Sequence, residues 1–250
     1  MRRSALAART PSPYPPPARG GGTHKRNWAV RMLGILTGLA REAEIARRIS
    51  PLVACAASDP ARAEQLARDL VGSGATALLS FGIAGGLAPE LATGALVIGT
   101  AVATGAVAYP CDPDLAARLA AALPGATRGD VWGGDLIVDT AAAKARLYRD
   151  SGAVIVDLES AAVAQAATEA GLPFGVLRAV ADPAAHGLPP AALVGLDSEG
   201  RPAIGPVLRA LARSPGQLPA LIRLGRQSSA AMAALLAAAG ALGRDLRGVP

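Results

Sequence analysis

Aromatic side chains make up only 3% of this 250-residue chain, and histidine occurs just twice, as His24 and His186. The core must therefore be filled by alanine, valine, leucine and isoleucine, and a metal site built on histidines has too few ligands. Cysteine is equally scarce. Cys55 and Cys111 have neither CxxC spacing nor a neighbouring His cluster, and read as buried free thiols of a reducing compartment. No apolar run of about 7–15 residues follows the N-terminal arginines, so the segment is a poor secretory signal and the cytoplasm is the default compartment. Acid is missing too, but only locally. Residues 1–32 hold seven basic side chains (Arg2, Arg3, Arg9, Arg19, Lys25, Arg26 and Arg31) and no Asp or Glu. The overall charge of +6 therefore belongs to that segment, and the remainder, with 18 basic and 19 acidic residues, is near neutral at −1. A basic body for binding nucleic acid is absent, and nucleic acid is not an expected partner.

What is present divides the chain in two. Pro11-Ser12-Pro13-Tyr14-Pro15-Pro16-Pro17 favours polyproline II and Gly20-Gly21-Gly22 is a flexible joint, so residues 1–31 read as a disordered basic tail, a basic tether for anionic lipid, or a misplaced start ahead of Met32. Residues 32–250 read as one domain, without internal repeat or composition shift. Two charge-free stretches, Val71–Pro89 and Leu91–Cys111, are long enough for spanning helices. They are broken by glycines and contain short β-rich runs, Ala77–Phe81 and Ala95–Ile98, so buried strands explain them better and a soluble chain is expected.

Strand and helix signals alternate from Leu33 onward. Leu33–Gly38, Leu52–Ala56, Thr76–Phe81, Ala153–Val156 and Phe174–Ala181 read as strands, and Leu136–Val138 as a short one. Asp59-Pro60 and Asp112-Pro113 each place a capping acid before a proline at the first helical position. Helical periodicity marks Arg41–Ile49, Glu159–Ala170 and most of the chain from Gly205 on. The pattern predicts an α/β fold, a three-layer sandwich whose central mixed, largely parallel sheet is flanked by helices.

In such sheets ligands collect where strands end and helices begin. Glu42 and Glu44 lie at one such helix start, where a carboxylate can accept a proton or merely favour the positive helix terminus. The segment Ser80-Phe81-Gly82-Ile83-Ala84-Gly85-Gly86-Leu87 has glycines after a strand that let a ligand approach the backbone, yet fits neither the dinucleotide nor the phosphate-loop pattern. Acids end two further strands, in Asp157-Leu158-Glu159-Ser160 and in Arg178-Ala179-Val180-Ala181-Asp182. A carboxylate such as Glu159 can accept both hydroxyls of a sugar diol, and an acid such as Asp182 can donate to a leaving group if its site raises its pKa. Equally, Asp182 can be a turn-former before Pro183, and Arg178 can simply pair with Asp157 or Glu159.

Taken together and in this order, Glu42, the SFGIAGGL segment, DLESAA and RAVAD resemble the nucleoside phosphorylase and nucleosidase superfamily across residues 33–243. ILTGLAREAEIARRI, VADPA followed by LPP, and SPGQLPALIRLGRQSSAAM are similar to its hopanoid-associated branch, whose members are taken to release adenine from adenosylhopane. The resemblance implies a nucleoside phosphorylase-like fold and cleavage of a purine nucleoside, with Asp182 assisting departure of the base and Glu42 positioning a nucleophilic water. It places Glu159 on the ribose, Leu158 beneath it where methionine is usual, and Ile83, Ala84, Gly85 and Gly86 around sugar and nucleophile. No metal or organic cofactor is implied. Ile83 stands where many relatives have Ser or Thr, which weakens the case for phosphate; phosphate nevertheless stays open as a co-substrate, with Arg41 as a binder if it does not face solvent. A lipid-linked nucleoside would need an apolar exit, for which the Leu211–Leu246 segment offers Leu218, Leu221, Ile222 and Leu224 interleaved with Arg223 and Arg226, and would bring peripheral contact with the inner membrane face. The alternative of a helix packed on the sheet is equally open. A methylthioadenosine or S-adenosylhomocysteine nucleosidase is the second reading, and a non-catalytic nucleoside or lipid binder, which has no need of the leaving-group acid, the third. A homo-oligomer, a dimer, is implied by the resemblance alone.

Overall fold

The computed structural model describes residues 32–105, 107–193, 200 and 204–245; the basic N-terminal segment lies outside the described residues. In chain order the elements are β1 (Leu33–Thr37), α1 (Ala40–Ala46), β2 (Val53–Cys55), α2 (Pro60–Gly72), β3 (Ala77–Gly86), β4 (Leu96–Thr104), β5 (Val107–Pro110), α3 (Pro113–Ala122) and β6 (Thr127–Gly133). They continue with α4 (Ala141–Ser151), β7 (Ile155–Asp157), α5 (Ser160–Glu169), β8 (Phe174–Asp182), α6 (Pro190–Leu193), α7 (Ile204–Arg213), a 3-10 turn (Pro215–Gln217) and α8 (Leu218–Asp245).

Local chemistry sets the helix starts. Asp59 and Asp112 accept the N–H groups of Arg62 and Leu115 at 3.2 and 2.8 Å, each ahead of a proline at the first helical position. Thr140 caps α4 in the same way, and Gly152 closes it in the left-handed conformation, φ +71°.

The fold is α/β, with a mixed sheet flanked by helices. Strands run in the order β2-β1-β3-β7-β6-β4-β5, and β8 joins β3 in parallel and β4 antiparallel. These pairings close β3, β7, β6, β4 and β8 into a ring. Neighbouring strand residues alternate between two cores, as a period of two requires. Leu36, Leu78, Val176 and Val180 pack with Ala63, Ala67 and Leu70 of α2 and Val163 and Ala167 of α5. Ile35, Leu79, Phe81 and Leu177 pack with Ile45 of α1, Leu115 and Leu119 of α3, and Leu235 and Leu242 of α8. Burial on both faces is why these strands read as continuous apolar runs.

Apart from Val71 and Gly72 at the end of α2, the described residues of the charge-free stretches lie in strands β3 to β5 and the segments beside them, and no helix among the described residues is long and apolar enough to cross a membrane. Two expectations need correction. The glycine-rich segment does not leave the strand after Phe81: β3 runs to Gly86, because β8 pairs along it from Leu78 to Gly85. Leu136–Val138 forms no strand. Gly133 ends the β6–β7 ladder, and Leu136 and Ile137 lie 80% and 48% exposed. Of the two thiols, Cys111 is buried and Cys55 only partly so.

Helix α8 has two halves. Ala231, Met232, Leu235, Ala238, Ala239 and Leu242 are buried in the second core, whereas Leu218 and Ile222 in the first turns are about half exposed. Leu235→Ala should therefore cost about 2–5 kcal/mol of stability. Ile222→Ala should change it by less than about 0.5 kcal/mol. Urea unfolding of the two variants measures the contrast, and equal losses would mean that the whole helix is packed.

Candidate functional site

The site begins at the carboxyl end of β1. Gly38 and Leu39 turn the chain into α1, and Glu42 reaches back from the third helical position to accept their N–H groups at 2.9 and 2.8 Å. That much is capping, as the simplest reading of Glu42 foresaw. Its other oxygen, however, accepts the N–H of Ile83 at 2.7 Å, forty-one residues away on β3. Glu42 is 1% exposed. Burial raises its carboxyl above the ordinary range, against the pull of Arg178 and the three backbone donors.

The turn between β7 and α5 brings the second group of acids. Asp157 Oδ1 accepts the N–H groups of Glu159 and Ser160 at 3.1 and 2.8 Å, which fixes the start of α5. Ser160 Oγ donates to Asp157 Oδ2 and lies 3.0 Å from Ser80 Oγ. Into this turn projects Arg178 of β8, wholly buried. Its Nε lies 2.8 Å from Asp157 Oδ2, while Nη2 donates to Glu159 Oε2 at 3.0 Å and to Ser80 Oγ at 2.7 Å. The sequence left Arg178 to pair with Asp157 or Glu159; it pairs with both. Burial pushes the Glu159 carboxyl up to about 7; Arg178 opposes the rise, and the charges of Asp157 and Glu42 add to it.

Glycines let these groups converge. A Cβ on Gly38 would sit 2.5 Å from Glu159 Oε1, and one on Gly82 would sit 2.6 Å from both Glu42 Oε2 and Arg178 Nη1. Glu42, Glu159 and Arg178 therefore occupy volume that any side chain at 38 or 82 would take. Ala84 and Gly86 are buried, Ile83 and Gly85 partly so, and Leu158 is half-buried beside Glu159. The Ile83 N–H is committed to Glu42 rather than offered to a ligand.

Asp182, the last residue of β8, lies next to Gly85, where an added Cβ would come within 3.5 Å of its carboxylate. It is an ion-paired acid rather than only a turn-former. Its partner is Lys144 of α4, which is fully buried and donates to Oδ2. Burial raises the Asp182 carboxyl above the ordinary carboxylate range, and the Lys144 charge works against the rise. Nothing in the sequence singles out Lys144: it is one basic residue in a helix that also carries Arg146 and Arg149, and its partner lies thirty-eight positions away. Arg41 is exposed on α1 and lines a groove with Glu44 of the same helix and Met232 and Leu236 of α8.

An open cavity of about 740 Å³ adjoins the first turn of α5 at Ala161 and Ala162 and is walled by Tyr109, Trp132, Leu136 and Leu147. No described residue of α8 lines it.

A family model described as the phosphorylase superfamily matches residues 13–199. The chain belongs to the phosphorylase superfamily. As a member it is an enzyme of N-glycosyl bond cleavage. Solved structures agree on the fold. The 5′-methylthioadenosine/S-adenosylhomocysteine nucleosidase of Neisseria meningitidis, in complex with methylthio-immucillin-A, is 20% identical over 83% of this chain and 97% of its own, with a TM-score of 0.61. The futalosine hydrolase of Helicobacter pylori is 16% identical over 84% of this chain and 97% of its own, with a TM-score of 0.60. The S-adenosylhomocysteine nucleosidase of Streptococcus pyogenes, in complex with 5-methylthiotubericidin, is 22% identical over 62% of this chain and 85% of its own, with a TM-score of 0.56. No curated protein matches the chain.

In this superfamily member the guanidinium of Arg178 holds the acids together. Replacing it by methionine leaves buried carboxylates facing one another, at a cost of about 3–5 kcal/mol. Arg178→Met should therefore lower Tm by about 6–20 °C at pH 8. The loss should be smaller at pH 5, where Glu159, raised to about 7, takes up a proton and loses its charge. Calorimetry at the two pH values checks both the size and the sign.

Proposed function

We propose that the protein hydrolyses the C1′–N9 bond of an adenine nucleoside, with water rather than phosphate as the nucleophile. The observation that carries this reading is the charge of the cluster. Glu42, Asp157 and Glu159 surround a single guanidinium, already taken up by two of them, so a phosphate dianion would enter a field of its own sign. Water has no such barrier, and Glu42 is a buried carboxylate able to take its proton.

The roles follow from placement. Glu159 accepts the ribose hydroxyls, with Leu158 beneath the ring, and offsets positive charge as it develops at C1′. Ile83, Ala84, Gly85 and Gly86 form the strand wall against which sugar and water lie. Asp182 gives its proton to N7 as the base leaves with the bonding electrons. The reaction needs no metal or organic cofactor, and phosphate as co-substrate is the outcome against which hydrolysis is tested.

The substrate we favour carries a lipid at the 5′ position, as adenosylhopane does, and the enzyme would then work in the cytoplasm at the inner membrane face. Support comes from the surface formed by α7 and the start of α8. Leu208, Leu218 and Ile222 are exposed there among the exposed Arg209, Arg213, Arg223 and Arg226, with no acid in residues 204–244. Such a basic apolar face suits an anionic bilayer. A small thioether nucleoside is the second reading. It is favoured by the methylthioadenosine/S-adenosylhomocysteine nucleosidases among the structures of like fold. A homodimer completes the proposal, on the resemblance alone.

Adenine release from adenosylhopane in detergent, from methylthioadenosine and from S-adenosylhomocysteine, each with and without phosphate, tests substrate and nucleophile together. The expected product is the free sugar at the same rate in both buffers, with adenosylhopane turned over fastest. A sugar phosphate by mass would overturn hydrolysis, and faster turnover of methylthioadenosine would overturn the lipid assignment. Asp182→Asn should lower kcat by about 10²–10⁴-fold while retaining nucleoside affinity; unchanged turnover would remove Asp182 from the chemistry.

Glu159 gives a pH signature. It is a diol acceptor only as the carboxylate, so protonation below pH about 7 weakens sugar binding. The expected result is a fall in kcat/KM of about tenfold per pH unit below that value. A Glu159→Gln enzyme, lower throughout, should lack this limb, and a limb that persists in it would assign the titration elsewhere.

A further inference from the structure

Lys144 belongs to none of the motifs that mark the site, yet its side chain is 0% exposed. Helix α4 carries it beneath the turn that follows β8. There Nζ donates to Asp182 Oδ2 and lies 3.0 Å from the Asp182 carbonyl, 3.0 Å from that of His186 and 3.3 Å from that of Pro183. Four oxygens thus share three ammonium protons, and the carboxylate is the strongest acceptor among them. The turn is held from the other side as well, since His186 Nδ1 lies 2.9 Å from Gln227 Nε2 of α8.

Pinning three carbonyls does not require a charge. An amide could supply hydrogen bonds without the cost of burying an ammonium. What the ammonium adds is a full positive charge against one oxygen of Asp182. Of the groups that act on this carboxyl, Lys144 comes from α4 and His186 from the turn, while β3 faces it with Gly85, which carries none.

We propose that Lys144 is the positioning residue of the base-directed acid: it fixes the Asp182 carboxyl through one oxygen, leaves the other for the departing base, and stabilises the carboxylate that remains once the proton has gone. This rests on the reading of Asp182 as the proton donor. In the balanced step the C1′–N9 bond breaks with its electron pair moving into the base, and the Asp182 proton passes to N7. The water oxygen bonds to C1′ and its proton passes to Glu42. Asp182 ends as an anion beside the Lys144 ammonium, and solvent returns the proton from Glu42 to Asp182.

The first measurement is independent of turnover. In protein labelled with carboxyl-¹³C aspartate, with the Asp182 signal assigned by its absence in Asp182→Asn, the carboxyl is titrated in wild type, Lys144→Met, Lys144→Gln and Lys144→Arg. Loss of the cation should move the Asp182 midpoint up by about 1–3 pH units in the Met and Gln variants. Arginine should hold it within about half a unit. Lys144→Gln keeps hydrogen bonds to the turn, and so stands in if Lys144→Met does not fold. An unmoved midpoint in a folded neutral variant would overturn the proposal.

The second measurement is the pH profile of adenine release from whichever nucleoside of the panel is turned over fastest. The basic limb of kcat should move up with the midpoint, kcat on the plateau should fall by at least about tenfold, and KM should stay within about twofold. If only Lys144→Arg folds, an Asp182 midpoint held within about half a unit, with the basic limb of kcat beside it, supports the role of the charge, and a midpoint that moves further overturns it. Full activity of Asp182→Asn would reject the role of Asp182 itself, whereas an inactive Asp182→Asn with unmoved limbs in the Lys144 variants would reject only the inference about Lys144.

Discussion

The site depends on one buried cation. Arg178 is wholly enclosed, and an enclosed guanidinium is stable only where carboxylates and hydroxyls satisfy it. Meeting that demand draws together parts of the chain far apart in sequence: Ser80 of β3, Asp157 of β7, Glu159 at the start of α5 and, through its charge, Glu42 of α1. The acids outnumber the cation, so the balance stays negative. Burial disfavours the ionised forms of Glu42 and Glu159, and at Glu159 the charges of Asp157 and Glu42 add to the rise, which Arg178 opposes. The enclosure that comes with this assembly is what raises Glu42 and Glu159, against the pull of the cation itself.

Small residues are the steric counterpart of that arrangement. Gly38 and Gly82 leave the volume into which Glu159, Glu42 and Arg178 fold, and alanines do the same between layers. Where α2 and α5 meet over the sheet, Ala63, Ala67, Ala162, Ala166 and Ala167 permit close approach. The scarcity of aromatics is thus compatible with a dense core.

The parts of this architecture that depend on local physics were legible in the sequence. Asp59-Pro60 and Asp112-Pro113 cap helices because the capping bond spans only three residues. Glu42, Glu159 and Asp182 stand out because a carboxylate beside a buried strand demands an explanation. What depends on distant pairing was not legible. The SFGIAGG segment looks like a turn until β8 is laid beside it, and β8 begins nearly a hundred residues later. The closed ring of strands has the same cause, since no local pattern says that β8 bridges β3 and β4. Lys144 is hidden for a different reason: in a helix otherwise moderately charged, a buried lysine and a solvated one are written with the same letter. The two halves of α8 differ in composition, with Arg223, Arg226 and Gln227 in the first and mostly alanine and leucine in the second, but only contact with the second core shows which face is buried.

The environments of the acids divide the site along the bond that the proposed reaction breaks. On the sugar side, three carboxylates around one guanidinium give a negative field, suited to a ribosyl group that gains positive charge as the bond stretches. On the base side, a single carboxyl sits against an ammonium, which suits it to surrender a proton to a base that gains negative charge. Exchanging the two partners would defeat both halves. A guanidinium facing C1′ free of its acids would oppose the oxocarbenium, and an unpaired Asp182 in the same burial would hold its proton too tightly to release it. The fold keeps the two cations apart by simple means: Arg178 and Asp182 are borne four residues apart on β8, while Lys144 approaches from α4, on the far side of the turn that ends the strand.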